Sequence, residues 1–216
     1  MINPCHSAND FETRSVSEPA GTPARLQEAR AAQPNWASVP VQRRLEVITQ
    51  LRHRIATEPA TLLDTLAAPG RERAQEALTA EVLPLADGCR FLERMAARLL
   101  ARRRLGRRGR PAWLLGHHAE IRREPLGVVV VIGPNNYPLL LPGLPALQAL
   151  TAGNAVLIKP APGCSSAMAR LAEMLVEAGL PQGLFQVLDE AVAETTAVIT
   201  AGVDHVLLTG SATTGR

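Results

Sequence analysis

Lys159 is the only lysine in a chain of 216 residues, in which arginine supplies all the other permanently basic side chains. It lies in the stretch GNAVLIKPAPG, residues 153–163, at the end of an apolar run. A slim ammonium and a broad planar guanidinium are not interchangeable at a tight site. An ammonium at the end of a strand can donate hydrogen bonds to ribose hydroxyls or to phosphate. The alternative is an edge lysine that reaches out to water.

The stretch GPNNYP, residues 133–138, has the composition of a loop that holds an amide in place. Its two prolines constrain the backbone around Asn135 and Asn136, so a side-chain amide is kept in one orientation. A held amide N–H can donate a hydrogen bond to a developing oxyanion. The alternative is an ordinary turn, in which asparagine bonds its own backbone.

A third polar stretch, TGSATTG at residues 209–215, contains two glycines and a serine. Gly210 permits a tight turn, Ser211 offers a hydroxyl, and the amides of a following helix can face an anion. The spacing is not G-x-G-x-x-G. It also differs from a phosphate-binding loop, because Arg216 stands where that loop carries its lysine.

The sequence predicts no metal site. Cys5, Cys89 and Cys164 are widely spaced, and their number fits neither a metal-ligand motif nor a disulfide framework, which favours a reducing compartment. His117 and His118 are adjacent, so their side chains diverge in extended chain.

Four short apolar runs would position these polar stretches. The runs are residues 127–133, 155–159, 184–188 and 204–208, and they lack the polar alternation of a half-exposed strand. Helical segments separate them, which predicts parallel strands joined by right-handed crossovers. The fold class expected is α/β, an incomplete doubly wound, Rossmann-like parallel sheet preceded by a helical N-terminal segment. Ligands bind such sheets beyond the carboxyl ends of the strands.

The chain is predicted to have three parts. Residues 1–22 read as a flexible tail, and residues 23–123 as a helical segment with an arginine-rich connector that packs on the cofactor domain. Residues 124–216 form a partial dinucleotide-binding α/β domain. In the helix SSAMARLAEMLVEAG, Ser165 or Ser166 is the expected cap. Apolar residues at helical spacing predict two further helices, one with Leu45, Ile48, Leu51 and Ile55, the other with Leu78, Val82, Leu85, Phe91, Met95 and Leu99.

Composition argues against several classes of partner. The net charge is only +3, and no aromatic side chain interleaves the arginine run at residues 101–110, so no nucleic-acid partner is expected. The most apolar region, residues 126–158, is interrupted by prolines and glycines and predicts no membrane span. The N-terminus lacks the apolar segment of a secretory signal, so a cytoplasmic protein is expected.

Four segments together resemble the aldehyde dehydrogenase superfamily. They are EPLGVVVVIGPNNYP, GNAVLIKP, AGLPQGLFQVL and VDHVLLTGSATTGR, in the family's order and with its natural spacing. The resemblance implies that Asn136 helps to bind the substrate carbonyl oxygen as it becomes an oxyanion. It also implies that Lys159 contacts the adenosine ribose of NAD or NADP. Gly210 and Ser211 would meet the pyrophosphate, with Gly215 closing that loop.

The resemblance further implies that Ile132 and Pro134 line the cofactor crevice. One departure concerns the ribose. Family members often carry a glutamate three positions after the lysine, where this chain has Pro162. That carboxylate would favour NAD and repel a 2′-phosphate, so NAD and NADP both remain open as cofactor.

A second departure concerns catalysis. In the family, the glutamate base and the nucleophilic cysteine follow the Thr-Gly-Ser loop, whereas Cys5, Cys89 and Cys164 all precede it. The chain is therefore expected to be a truncated N-terminal portion of an aldehyde dehydrogenase, inactive alone. A small aldehyde would be its substrate only with the missing part, and the full-length protein would form a homo-oligomer. The alternative is a non-catalytic nucleotide-binding or assembly module that needs a separately encoded remainder.

Overall fold

A computed structural model describes residues 22–66, 74–106, 111–114 and 116–211 of the chain. The predicted tail lies outside these ranges except for Thr22, where the first helix begins. The N-terminal part is helical, as predicted. Its elements are α1 (Thr22–Ser38), α2 (Val41–Thr57), α3 (Pro59–Leu66), α4 (Ala74–Ala77), a π-helix (Leu78–Val82) and α5 (Leu83–Leu100).

Two short strands stand where the sequence analysis predicted only a connector. Strand β1 (Arg103–Leu105) pairs in antiparallel fashion with β2 (Ala119–Ile121), and a 3-10 turn (Ala112–Leu114) lies between them. The carboxylate of Glu120 on β2 forms ion pairs with two arginines. A carboxylate between two cations helps to stabilise the pairing of the two strands. Residues 107–110 of the predicted arginine run lie outside the described residues. The division into three segments stays a prediction.

The second half of the chain is a four-stranded parallel sheet with helices between its strands. Its order is β5-β4-β3-β6, which confirms the predicted α/β class with a parallel sheet behind a helical N-terminal part. All four predicted apolar runs contain a strand. The elements are β3 (Val128–Ile132), α6 (Leu140–Thr151), β4 (Ala155–Lys159), α7 (Ser165–Glu177), β5 (Phe185–Val187), α8 (Val192–Thr200) and β6 (His205–Leu208).

The strand order reverses at β3. From β3 the chain moves to β4 and then β5 on one side, whereas β6 returns to the other side of β3. Helices α1 and α6 both contact β3 and β4, and all five β4 residues are buried, so this strand pair is covered on both faces. A crevice for ligands is expected at the carboxyl ends of the strands where the order reverses.

Two side chains of helix α1, one aromatic and one cationic, form hydrogen bonds with the sheet domain. The indole nitrogen of Trp36 donates to the Leu150 carbonyl at 2.8 Å in a buried contact. Arg25 donates to the carbonyl of Val187, the last residue of β5, at 2.6 Å. These bonds give α1 side-chain contacts with backbone oxygens of the sheet domain, and the buried indole N–H obtains a partner.

The buried face of α2 is the predicted one, but that of α5 is not. In α2, Leu45, Ile48, Leu51 and Ile55 are all buried. In the second stretch Val82 and Leu85 are buried, whereas Phe91 is 51% and Leu99 46% exposed. The helical period that starts at Leu85 continues through Cys89, Leu92 and Ala96, and these three residues form the buried face of α5 instead.

A tight approach fixes the start of β3. Asp204 accepts a hydrogen bond from the Val128 amide at 2.7 Å and another from Arg30 at 2.6 Å. Gly127 has φ +124°, and a Cβ there would lie 2.2 Å from the Asp204 carboxylate. Only glycine fits that position, which explains its place directly before the strand. Among the described residues, no helix is both long and apolar enough to cross a membrane.

A buried carboxylate holds the start of α6. Glu81, on the π-helix, is 5% exposed and accepts hydrogen bonds from the amides of Leu139 at 2.7 Å and Leu140 at 3.2 Å. The first amides of a helix lack intrahelical partners, and a carboxylate near them also interacts favourably with the helix dipole. Glu81 therefore fixes the far end of the loop that begins at Gly133.

We expect Glu81→Ala to lower the free energy of unfolding by about 1–3 kcal/mol, because it leaves buried amides without an acceptor. Glu81→Gln keeps one acceptor oxygen and should cost less. Denaturant unfolding followed by circular dichroism measures both changes. Gln75→Ala, at an exposed helical position nearby, is the control. Equal losses in Glu81→Ala and Gln75→Ala would contradict the role given to Glu81.

Candidate functional site

A cavity of about 590 Å³ lies at the carboxyl ends of β3, β4 and β6, against helix α8. It occupies the position expected for a ligand in a sheet of this topology. Three loops and one helix contribute its walls, which are Ile132–Asn135 after β3, Lys159, Ala161 and Pro162 after β4, Val192, Thr195, Thr196 and Ile199 of α8, and Val206 and Leu208–Ser211 of β6 and its loop.

Lys159 lies at the inner end of this cavity. The residue is only 7% exposed, so it does not reach out to water as the alternative interpretation had it. Its Nζ donates to the Pro160 carbonyl at 2.8 Å, and its own carbonyl accepts from the Gly133 amide at 3.0 Å. An ammonium carries three donors, so donors remain for a ligand in the cavity.

The structure brings together most residues that the sequence analysis assigned to a cofactor. The Thr209 amide donates to the Ile132 carbonyl at 3.0 Å, which ties the loop after β6 to the end of β3. The predicted residues that line the one cavity are Ile132, Pro134, Lys159, Gly210 and Ser211. Gly215 lies outside the described residues.

Asn136 is the exception. It lies in the loop after β3, two residues beyond Pro134, but it is exposed and its neighbour Asn135 lines the cavity instead. Both asparagines are exposed, and Asn136 is not among the residues that line the cavity. The amide of Asn136 is thus placed beside the cavity and open to whatever approaches the loop from outside.

Thr195 of α8 is a cavity residue that no sequence pattern indicated. It is 4% exposed, and its Oγ1 has no hydrogen-bond partner among the described residues. A buried hydroxyl without a partner costs free energy of about 1–3 kcal/mol. The Oγ1 atom itself is shielded from solvent, so other atoms of Thr195 form the cavity wall. A threonine within an apolar helix is too common for sequence reasoning to single it out.

Glu190 was also missed, although it belongs to an acidic pair directly after a buried strand. Its carboxylate accepts hydrogen bonds from the amides of Gly163 at 2.7 Å, Cys164 at 3.1 Å and Ser165 at 3.0 Å. Hydrogen bonds from the Gly163 amide, and then from the Ser165 hydroxyl and amide, hold the pKa of Glu190 below its ordinary value, so the group is charged at neutral pH. An acidic residue following a strand at the ligand-binding edge was the available signal.

The predicted serine cap of α7 is therefore wrong. The residue in the cap position is Cys164, and it makes no side-chain capping bond. Ser166 instead donates its hydroxyl to the Thr65 carbonyl at 3.2 Å. The amides that a serine would have served are taken by Glu190, which is separated from them by 25 to 27 positions.

The described cysteines are structural. Burial raises the pKa of the Cys89 thiol to about 12, and Cys164 is buried at the start of α7. A thiol with so high a pKa is not a nucleophile near neutral pH. Cys5 lies outside the described residues. Within the described ranges, no cluster of His, Cys, Asp and Glu side chains is arranged to hold a metal ion.

Comparison with known proteins gives a consistent result. The sequence model of the family described as "Aldehyde dehydrogenase family" matches residues 1–216. A protein of Mycolicibacterium smegmatis named "Putative succinate-semialdehyde dehydrogenase (NADP+)" is 34% identical, over 100% of this chain and 41% of its own length. The 4,4′-diapolycopene aldehyde oxidase of a Methylomonas species is 32% identical, over 93% of this chain and 38% of its own length.

Solved structures show the same similarity. Proline utilization A from Bdellovibrio bacteriovorus superposes with a TM-score of 0.78 at 26% identity, over 92% of this chain and 20% of that one. The chain spans about two-fifths of the length of the curated relatives it matches.

The high pKa of Cys89 leads to a prediction about reactivity. In a variant in which Cys5→Ser and Cys164→Ser leave Cys89 as the sole thiol, the native protein should react with a disulfide reagent near pH 8 about a thousandfold more slowly than the unfolded protein. The thiolate fraction differs by that factor between a pKa of about 12 and an ordinary one. Absorbance of the released thiol follows the rate, and similar native and unfolded rates would refute the assignment.

Proposed function

The chain belongs to the aldehyde dehydrogenase family, and from that membership we propose that it forms the cofactor-binding portion of an enzyme that oxidises an aldehyde with NAD or NADP. It corresponds to the N-terminal portion of such a protein. The nicotinamide cofactor, when bound, would accept the hydride. The main structural observation in support of this proposal is the cavity that is lined by the buried Lys159.

Lys159 is proposed to bind the adenosine ribose. Its Nζ is anchored by the Pro160 carbonyl, so the ammonium is held at the cavity wall rather than dispersed over many rotamers. Ribose hydroxyls accept hydrogen bonds, and a bond from a charged donor is worth about 1.5–3 kcal/mol. An arginine would bring a planar fork into a space enclosed by Pro134 and Pro162, which accounts for a lysine at this one position.

The apolar side of the cavity fits an adenine ring. Ile199 of α8 and Val206 and Leu208 of β6 face the cavity and are each 38% exposed. Small-molecule sites combine such apolar walls with a few placed polar groups. On this side the cavity is also lined by two residues with hydroxyl groups, Thr195 and Thr196 of α8.

The remaining proposed roles concern the pyrophosphate and the substrate. Gly210 and Ser211 line the cavity at the end of β6, where their loop would meet the pyrophosphate. Asn136, exposed beside the cavity, would donate its amide N–H to the carbonyl oxygen of a small aldehyde brought in by the rest of the enzyme. A homo-oligomer is proposed for the complete protein.

The proposal is tested by calorimetric titration of the 216-residue chain with NAD and with NADP. We expect saturable binding of at least one dinucleotide. Lys159→Met should weaken that binding by about ten- to a hundredfold, because it removes a charged donor while keeping the side-chain volume. Arg43→Met removes an exposed cation of α2 and should leave the affinity unchanged. Absence of binding, or equal loss in both variants, would reject the site.

The same chain should not oxidise aldehydes by itself. Both cysteines in the described part of the chain are buried, and Cys89 has a pKa of about 12, so neither presents an exposed thiolate to an aldehyde. An assay of NADH or NADPH formation with a panel of small aldehydes measures this. Sustained turnover by the isolated 216 residues would show that the nucleophile is present after all.

A further inference from the structure

Glu190 leaves the same edge of the sheet as Lys159. Strands β4 and β5 are neighbours, and the amide of Leu188, directly after β5, donates to the carbonyl of Ile158, one residue before β4 ends, at 2.7 Å. Two residues later, the Glu190 carboxylate bonds the Gly163 amide, directly after the cavity residue Pro162. The carboxylate is thus fixed at the rim of the cavity, on the side of the lysine.

This carboxylate occupies the donors that a phosphate would use. Helix α7 has 13 residues, and the amides at and before its first turn are the groups that bind anions at helix N-termini. Those of Gly163, Cys164 and Ser165 all point at Glu190. A phosphate could reach them only by displacing a charged group that already accepts hydrogen bonds from these three amides and from the Ser165 hydroxyl.

The charge at the rim is stabilised by hydrogen bonds from the start of α7. Among the described residues no arginine or lysine forms an ion pair with Glu190, and Lys159 is the only cation among those that line the cavity. A phosphate monoester carries between one and two negative charges at neutral pH. Attached to the ribose near Lys159, it would face one ammonium and one carboxylate that has no ion-pair partner among the described residues.

We propose that Glu190 makes this site select the dinucleotide with a free ribose 2′-hydroxyl, NAD, against its 2′-phosphorylated form, NADP. The inference rests on the proposed function, since it assumes that the ribose lies at Lys159. Glu190 supplies, from the loop after β5, the negative charge that is absent at Pro162. The relative from Mycolicibacterium smegmatis carries NADP+ in its name, so this chain is inferred to differ from it in cofactor.

The test compares dissociation constants for NAD and NADP in the 216-residue chain and in Glu190→Gln, by calorimetry. The wild type should bind NAD about tenfold more tightly than NADP. Glu190→Gln keeps an oxygen acceptor for the α7 amides and removes the charge. It should tighten NADP about tenfold, the effect of one charge near a phosphate at a partly exposed rim, and leave NAD unchanged.

Asp189→Asn is the matched control, because Asp189 is the adjacent carboxylate and, within the described part of the chain, its Oδ1 accepts from the Ala191 amide and not from the amides of α7. It should leave both dissociation constants unchanged. Thermal unfolding of both variants separates a loss of the α7 cap from a change in selectivity. If Glu190 serves only to cap the helix, Glu190→Gln should lower the melting temperature without altering the ratio of the two dissociation constants. That result would overturn the inference.

Salt provides a second measurement on the unmodified chain. Raising the salt from about 50 mM to about 500 mM screens charge interactions at a partly exposed site. If a carboxylate repels the 2′-phosphate, the ratio of the NADP to the NAD dissociation constant should fall at the higher salt concentration. If a cation attracts that phosphate instead, NADP should lose affinity relative to NAD at the higher salt concentration, and the inference fails. Absence of binding by either dinucleotide would instead overturn the proposed function. Equal binding of both would overturn only the role of Glu190.

Discussion

The parallel pairing of β3 with β4 is the constraint on which the rest of the structure depends. β3 is apolar along its length, β4 is apolar up to Lys159, and β4 is buried at all five positions, so the pair is stable only when both faces are covered. Helices α1 and α6 provide that cover. Because the strands run in the same direction, the pairing also brings Gly133 and Lys159 to one edge, where the cavity opens.

Buried or partly buried carboxylates then fix the loops around this sheet. Glu81, Asp204 and Glu190 each accept hydrogen bonds from backbone amides far away in sequence, at the starts of α6, β3 and α7. A carboxylate offers two oxygens and a full charge, so each one replaces several local caps. At Glu190 the same arrangement brings a negative charge to the cavity rim. The carboxylate that caps α7 is therefore also the group that we propose selects between the two dinucleotides.

The features that could be predicted from the sequence are those that depend on local patterns. Runs such as VVVVI and AVLIK predict buried strands, and the order of four short motifs indicated the family. The α7 cap was missed because capping rules consider only neighbours in sequence, whereas Glu190 comes from the next loop. The exposure of Phe91 and the β1–β2 pairing were missed because both depend on contacts across the fold. Thr195 was missed because its significance lies in an unpartnered hydroxyl, which no spacing encodes.

The central claim is that a nucleotide binds at Lys159, and the composition of the chain allows a direct measurement of it. With a single lysine, selective 15N-lysine labelling yields a chain with one labelled backbone amide. Nuclear magnetic resonance spectra recorded during titration with NAD should show that signal move and saturate, together with the calorimetric binding curve. A lysine signal that stays in place while NAD binds would locate the nucleotide elsewhere and contradict the account.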